Sequence, residues 1–168
     1  MGSGGIGTTP HVSGELFNMM TGVKLVHVPY RGAGPARTDL IAGQVQVMFD
    51  AMVQALEYVK GGQLRALAVC TPTRAEVLPE VPALAEFVPG YASYTWYGAG
   101  APKNTPPEII QRLNKEINAG LTDAKLNARL AELGGTVFTG SPADFGRFLA
   151  DETEKWGKVV KFSGAKAD

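Results

Sequence analysis

The sequence predicts an α/β fold, in which a mainly parallel sheet packs against helices and a helix-rich C-terminal segment follows. Two observations carry this prediction. Helical and strand-like patterns alternate with short connections through the first 70 residues, and the pattern from about residue 92 is mostly helical. Such alternation is typical of parallel strands joined by right-handed helical crossovers. Segment 64–70 is almost wholly apolar, so we expect helices on both faces of the sheet.

A glycine-rich loop at residues 2–8 opens the chain and leads straight into an amphipathic helix. Pro10 suits the first helical position, and the threonines before it can cap the helix. Glycines let the backbone come close to a ligand, and free amides at a helix N-terminus favour an anion without any basic side chain. We therefore expect the amides of Gly5 and Gly7 to be open to a carboxylate or phosphate.

Two nucleotide-binding motifs and a plain structural role compete with this interpretation. Gly2, Gly4 and Gly7 have the spacing of a dinucleotide fingerprint, but no strand is predicted before them. The P-loop is excluded because its lysine and adjoining hydroxyl residue are missing where the helix starts. A capped helix behind a flexible terminus remains the structural alternative.

The elements of the first 91 residues follow from periodicity and from glycine and proline signals. We predict, in order, helix 10–21 stopped by Gly22, strand 23–30, helix 35–42, strand 45–49, helix 51–60, strand 64–70 and a short helix at 83–87. Ligands of such sheets bind beyond the carboxyl ends of the strands. The loops at 3–9, 30–34 and 50–51 should therefore gather at one edge.

The second part of the chain contains three predicted helices and little sheet. Segment 91–101 is aromatic and strand-like, and 137–138 has the pattern of a short strand. The helices are marked by an apolar stripe from Ile110 to Leu121, by Asp123 as an N-cap, and by Ser141-Pro142 at the start of a long final helix. Their apolar faces need a covering surface that this part of the chain lacks.

The overall charge argues against several classes of partner. The 168 residues include 16 basic and 16 acidic side chains, so the formal net charge is zero, and no block of one sign occurs. Nucleic acids and anionic membranes both require a concentrated basic face. We therefore expect no nucleic-acid partner.

Cysteine usage and hydropathy argue against an internal disulfide, a metal site and a membrane-spanning segment. A single cysteine, Cys70, cannot form an internal disulfide, and two histidines offer little for a metal site. No run of about 18 apolar residues is present, and the first residues lack the pattern of a secretory signal. We expect neither a cofactor nor a metal.

Six short motifs follow one another along the chain. They are GIGTTPH at 5–11, VHVPYRG at 26–32, GQVQVMFD at 43–50, LRALAV at 64–69, PEVP at 79–82 and WYG at 96–98 before Ala101-Pro102. In identity and order they resemble the tripartite tricarboxylate transporter receptor family, also called Bug proteins. The resemblance covers essentially the whole chain.

This resemblance implies a fold and a domain organisation. Members of the family have two α/β lobes of the type II periplasmic-binding-protein kind, which close over a small, usually carboxylated solute, in chains about twice as long. Residues 1–91 are then the second, solute-binding lobe. Residues 92–168 are the C-terminal helical segment that completes the first lobe, whose N-terminal part has no counterpart here.

The resemblance also implies a function, partners and a location. We expect a non-catalytic solute-binding protein for a small organic carboxylate, acting with membrane transporter subunits in the periplasm. Without a signal peptide, the chain would be cytoplasmic if it is the full gene product. A sensor or protein-interaction module derived from this fold is the alternative function. An enzyme would need a nucleophile beside a histidine and an acid, and no spacing nominates such a set.

The candidate ligand-binding residues lie at three loops, and no catalytic or metal-binding residue is predicted. The candidates are Gly5, Gly7, Thr8, Thr9, Tyr30, Arg31, Gly32 and Asp50. The threonines would contact the solute together with the loop amides, and Arg31 could pair with a carboxylate. Arg31 as a solvated surface residue and Asp50 as a helix cap are the structural alternatives.

The uncovered helices lead to an expectation about assembly. Their apolar faces, if exposed, would exceed what a soluble monomer normally shows. We therefore expect a homodimer formed through residues 92–168.

Overall fold

A computed structural model describes residues 1–166 of the chain. The described part contains two short strands, six α-helices and one 3₁₀ helix. They are β1 (Gly2–Ser3), α1 (Thr9–Thr21), β2 (Val28–Pro29), α2 (Ala33–Ile41), α3 (Met52–Lys60), the 3₁₀ helix (Leu84–Glu86), α4 (Pro107–Leu121), α5 (Ala124–Glu132) and α6 (Pro142–Ser163).

The sheet is built around the first residues of the chain. β1 pairs in parallel with β2, and Gly2 also forms a parallel bridge to Met48. The chain therefore places β1 between two parallel neighbours, as expected for a βαβ arrangement. The prediction of an α/β class with a parallel-dominated sheet is confirmed. β1 was not predicted from the sequence. It lies directly before the turn at Gly5–Thr8, in the position that a strand has before a nucleotide-binding loop.

The predicted strands are much shorter in the structure. Of segment 23–30 only Val28–Pro29 is a strand, and 45–49 and 64–70 each retain a single bridge residue. The bridge in 64–70 joins Val69 to Ala83 rather than to β1. No strand forms in 91–101 or 137–138. An apolar run becomes a strand only where a neighbouring segment offers backbone partners, and the described residues offer few.

The helices agree closely with the predictions because their signals are local. α1 ends at Gly22, whose φ of 73° is the left-handed conformation of a helix C-cap. Asp123 caps α5 by accepting from the Leu126 amide at 2.9 Å. α2 begins two residues earlier than predicted, at Ala33.

The described residues divide into two compact units. The first comprises Met1–Thr95 with the described residues from Lys155 onward, and the second is Trp96–Glu154. The last turns of α6 therefore belong to the first unit. The division into two lobes after residue 91 stays a prediction.

Two apolar clusters stabilise the first unit. Leu56 of α3 packs with buried residues between 69 and 83, and Leu16 of α1 packs with Tyr91 and Val159. Tyr91 is fully buried and donates its hydroxyl hydrogen to the carbonyl of Ser13 at 3.0 Å. This bond satisfies the one polar atom of a large apolar side chain.

The second unit is built from α4, α5 and the first part of α6. It contains an aromatic cluster, in which Trp96 meets Phe145 and Phe148 edge-on, with ring centroids 5.8 and 5.2 Å apart. The amides of Asn114 and Asn118 both donate to the carbonyl of Gly140. This unit leaves many large apolar side chains exposed.

Candidate functional site

The glycine loop between β1 and α1 is a tight turn that requires glycine. Gly5 and Gly7 have φ values of 128° and 78°, in a region that side-chain-bearing residues rarely adopt. Thr8 closes the turn on Gly5, whose carbonyl accepts from the Thr8 amide at 3.3 Å and from the Thr8 hydroxyl at 2.7 Å. The loop therefore has one defined conformation.

The expectation that the amides of Gly5 and Gly7 are free is wrong. The Gly5 amide donates to Ser3 Oγ at 3.1 Å, and the Gly7 amide donates to His11 Nδ1 at 3.0 Å. Both side chains lie within four residues of the glycine they bind, and the nearest polar group satisfies an otherwise unpaired amide. The two glycines therefore shape the loop and have no donor left to offer.

Three other amides at the same place have no protein acceptor among the described residues. Within residues 1–166, the amides of Ile6, Thr9 and His11 donate to no protein acceptor. Thr8 occupies the N-cap position with extended backbone, but its side chain makes no capping bond. No acidic residue lies in the first turn of α1 either. The helix start is left without the internal partners that usually satisfy it.

A second loop, residues 30–33, lies directly against the first. The Gly32 amide donates to the carbonyl of Gly4 at 3.1 Å, and the Tyr30 amide donates to the carbonyl of Ser3 at 3.0 Å. A Cβ on Gly4 would lie 3.0 Å from the backbone nitrogen of Ala33, so a larger residue there would require the second loop to move. Two of the three loops expected at one edge therefore do meet.

The second loop also begins a helix without a side-chain cap. Gly32 is the N-cap of α2, with a φ of 110°, and the first turn of α2 holds no acidic residue. Arg31 is exposed and makes no hydrogen bond or ion pair within the described residues. The Tyr30 hydroxyl donates to Asp39 Oδ2 at 2.7 Å, and this bond raises the pKa of Tyr30. Within residues 1–166, Arg31 is thus a cation without a partner, in the loop that leads into α2.

Asp50 has a partner that the sequence interpretation missed. Its Oδ2 accepts from Arg37 Nε at 2.7 Å, and its Oδ1 accepts from the Ala51 amide at 2.9 Å. Arg37 also donates to Gln54 and lies 5.4 Å from the ring centroid of Tyr58. The bond to Asp50 is the main reason that the pKa of Arg37 is raised. The expected acidic group is therefore engaged in an ion pair and in a bond to the next amide, while the N-cap of α3 is Ala51 and has no side-chain cap bond.

Beside this ion pair lies a shallow groove of about 240 Å³, lined by Gly34, Arg37, Thr38, Ile41 and Tyr58. The Thr38 hydroxyl donates to the carbonyl of Gly34. Because the lining polar groups already have partners, the groove is a less favourable anion site than the loops.

The two histidines form a stacked pair beneath the glycine loop. Their ring centroids lie 3.9 Å apart with an interplanar angle of 19°, and His27 Nε2 lies 2.6 Å from Ser3 Oγ. Burial lowers the pKa of His11, an effect that nearby Glu15 partly offsets. Burial, the neighbouring charge of His11 and the Met1 ammonium lower the pKa of His27 to about 4. Both rings are therefore neutral near pH 7.

The Ser3–His27 contact has the geometry of a hydrolase dyad but not its accessibility. Ser3 is fully buried, and within residues 1–166 the acid paired with the histidines, Glu15, lies 3.8 Å from His11 and has no recorded contact with His27. A nucleophile must reach substrate, and its histidine must be oriented by a third group. The contact therefore supports the loop rather than a reaction. The spacing along the sequence could have suggested that His11 accepts from a loop amide, because a side chain in the first helical turn can reach back to the preceding loop.

Residues 1–166 contain no group of three or more His, Cys, Asp or Glu side chains placed to hold a metal ion. None of the described helices has the length and apolar character needed to cross a bilayer.

This chain is similar to known proteins over nearly its whole length. Residues 1–165 match the profile described as "Tripartite tricarboxylate transporter family receptor". The chain is 38% identical over 160 residues to the UPF0065 protein in the tcbD-tcbE intergenic region of Pseudomonas sp. (strain P51), covering 94% of this chain and 48% of the relative. It is 37% identical over 162 residues to the protein BugT of Bordetella pertussis, covering 96% of this chain and 50% of the relative.

Solved structures give the same picture. The structure described as R. palustris Rpa4515 with adipate has a TM-score of 0.85 and 38% identity, covering 98% of this chain and 55% of that one. MatC (Rpa3494) from Rhodopseudomonas palustris with bound malate has a TM-score of 0.73 and 30% identity, covering 92% of this chain and 54% of that one. The chain thus spans about half the length of these relatives.

Proposed function

The chain belongs to the tripartite tricarboxylate transporter receptor family, and we propose that it is a non-catalytic solute-binding protein that holds a small carboxylate at the start of α1. The observation that carries this proposal is the uncapped helix. Thr8 donates its hydroxyl to Gly5 instead of capping α1, so the amides of Thr9 and His11 have no acceptor within residues 1–166. A bound carboxylate would accept from these amides and is favoured by the helix dipole.

The second loop supplies the proposed positive charge. Arg31 follows the strand that pairs with β1, and the Gly32–Gly4 hydrogen bond holds its loop against the glycine loop. A guanidinium can bind a carboxylate through two parallel hydrogen bonds. We assign solute contact to Thr8, Thr9 and Arg31. Gly5, Gly7, Tyr30 and Gly32 position the loops, and Asp50 supports α2 and α3 through Arg37.

The solute class is a mono- or dicarboxylate. The relatives whose structures carry bound adipate and bound malate are similar to this chain over more than nine-tenths of its length. Adipate and malate each have two carboxylates, and this site offers two uncapped helix starts and one cation. Bound in this way, the solute would pass unchanged to membrane subunits of a tripartite transporter in the periplasm.

The second unit supports a proposed homodimer through residues 92–168. Ile109, Leu113 and Ile117 lie at four-residue spacing on α4 and are 43–49% exposed. A twofold antiparallel pairing centred on Leu113 would place Ile109 of one copy against Ile117 of the other. The same pairing brings Arg112 near Glu116 of the second copy, so that opposite charges flank the apolar contact. Sedimentation at micromolar concentration tests it, and a monomer there would contradict it.

Solute titration followed by amide chemical shifts tests the binding site. Adipate, malate and monocarboxylates are added to ¹⁵N-labelled protein, and the amides of Ile6, Thr9 and His11 should move first. Because these 168 residues span about half the length of the relatives, we expect them to bind with a Kd on the order of 1 mM. Shifts confined to other regions, or none with any carboxylate, would contradict the proposal.

Two variants with matched controls sharpen the titration. Thr8→Val should weaken binding about fivefold, because it removes the hydroxyl that closes the turn on Gly5. Arg31→Gln should weaken it by about tenfold, because it removes the charge. Thr153→Val and Arg65→Gln make the same chemical changes at exposed sites on α6 and after α3, and should leave the Kd unchanged.

A further inference from the structure

The glycine loop is anchored at both of its strained glycines by the two histidines. His11 accepts directly from the Gly7 amide through Nδ1 at 3.0 Å. His27 lies 2.6 Å from Ser3 Oγ, and that hydroxyl accepts from the Gly5 amide at 3.1 Å and lies 3.2 Å from the Gly5 carbonyl. The rings are stacked, so the two anchors also contact each other.

The anchor at Gly7 fixes the protonation state of His11. A ring nitrogen that accepts a hydrogen bond carries no proton, so neutral His11 has its hydrogen on Nε2, which faces Glu15 Oε1 at 3.8 Å. A proton taken up at Nδ1 would turn that nitrogen into a donor. Two N–H groups would then face each other, and the Gly7 amide would lose its acceptor.

We propose that the His11–His27 pair is a proton-sensitive anchor of the glycine loop, so that solute binding weakens when the pair takes up a proton. This inference rests on the carboxylate site proposed above. Histidine is the side chain whose charge changes in the mildly acidic range, and here one histidine bonds directly to a loop whose shape sets the binding amides.

The charges around the pair define its behaviour. Facing the rings are Glu15 on α1, the Met1 ammonium beside β1 and the hydroxyl of Ser3. The acid stabilises a protonated His11, whereas the ammonium and the second ring oppose a charge on His27. At a centroid separation of 3.9 Å, two imidazolium rings would repel each other, so the pair takes up its protons one at a time.

The direction of the pH effect follows from these environments. The pKa of His11 is lowered from its ordinary value of 6.5, and that of His27 is lowered to about 4. Both rings are neutral above pH 6.5, and the loop is then fully anchored. The anchor at Gly7 is lost as the pH falls below 6.5 and through the lowered pKa of His11, and the loop amides then lose their arrangement.

An NMR titration without solute tests the anchor. The amide of Gly7 and the ring signals of His11 are followed in the folded protein as the pH is lowered from about 7.5 to 4.5. We expect the two signals to move with one shared midpoint. A Gly7 amide that stays unchanged while His11 titrates would overturn the inference.

Matched substitutions separate anchoring from general packing. His11→Asn places an amide oxygen near the position of Nδ1, and this oxygen accepts but does not titrate, so the Gly7 amide should show no pH dependence. His11→Leu removes the acceptor, and Gly7 should have its unanchored shift at every pH. His11→Asn also removes the charge that opposes protonation of His27, so the midpoint of the His27 ring signals should move to higher pH. An unmoved midpoint would count against coupling between the rings.

Adipate titration then connects the anchor to binding. Between about pH 7.5 and 5, wild-type affinity should fall about tenfold more than that of His11→Asn, as expected for one lost loop anchor. Protonation of adipate itself affects both proteins equally and cancels in this comparison. Equal losses in both would overturn the proposed coupling. If adipate binds neither protein while Gly7 still titrates with His11, the anchor stands and the proposed function fails.

Discussion

Arg37 and Asp50 form a buried ion pair that ties α2 to the start of α3. Arg37 Nε lies 2.7 Å from Asp50 Oδ2, and the two side chains are only 10% and 8% exposed. Each charge has a further partner, Gln54 for the guanidinium and the Ala51 amide for the carboxylate. Both helices follow loops of the sheet edge, so this pair helps to hold the edge in place.

Asp50→Asn should destabilise the protein by about 3 kcal/mol, because it leaves the buried guanidinium without a counter-charge. Urea denaturation measures this loss. Glu57→Gln, which neutralises an exposed acid on α3, should cost less than about 0.5 kcal/mol and serves as the control. Similar losses in the two variants would show that the ion pair contributes no more to stability than an exposed charge does.

The histidine pair should make stability fall in mild acid. The pKa of His27 is about 4 in the folded protein and near 6.5 when unfolded, so the unfolded chain binds more protons between these values. The free energy of unfolding should therefore be constant above pH 6.5 and decrease as the pH falls towards 4. Urea midpoints at several pH values measure the slope.

His27→Gln tests whether the histidines cause this dependence of the free energy of unfolding on pH. It removes one of the two groups with a lowered pKa and should flatten the decline between pH 6.5 and 4. An identical decline in the variant would mean that carboxylates, not histidines, dominate acid sensitivity.

Gly4→Ala should separate the two loops of the candidate site. The new Cβ would lie 3.0 Å from the Ala33 nitrogen and 3.2 Å from the Gly32 carbonyl carbon, and both neighbours are backbone. We expect a loss of about 2 kcal/mol in stability and a weakened Gly32–Gly4 hydrogen bond, visible as faster exchange of the Gly32 amide.

Gly34→Ala is the matched control in the first turn of α2. A Cβ there meets nothing within 4 Å, so alanine should stabilise the helix by about 0.5 kcal/mol. If Gly4→Ala were equally harmless, the close approach of the two loops would be contradicted.

Leu113→Glu should dissociate the proposed homodimer, because it places a charge at the centre of the apolar face of α4. Sedimentation velocity measures the change in mass. Gln111→Glu puts the same charge on the opposite face of the helix and should leave the dimer intact. Dissociation by both variants would point to net charge rather than to this contact.

The sequence by itself determined the helices and the family. The end of α1 at Gly22, the Asp123 cap of α5 and the start of α6 after Ser141 depend on residues within one or two turns of each other. The motifs from GIGTTPH to WYG sufficed to identify the family because they are contiguous. Such signals do not depend on which distant segments are brought together.

Tertiary structure alone decided the extent of the sheet and the partners of the polar groups. Apolar segments such as 23–30 did not become full strands, because a strand exists only where another segment supplies its hydrogen bonds. Ser3 and His27 are 24 residues apart, and Arg37 and Asp50 are 13 apart. Spacing along the chain does not reveal such pairs. At the glycine loop, the donors left for a solute are those that remain after Ser3 and His11 have accepted from the Gly5 and Gly7 amides, and the contact of Ser3 with His27 is visible only in the fold.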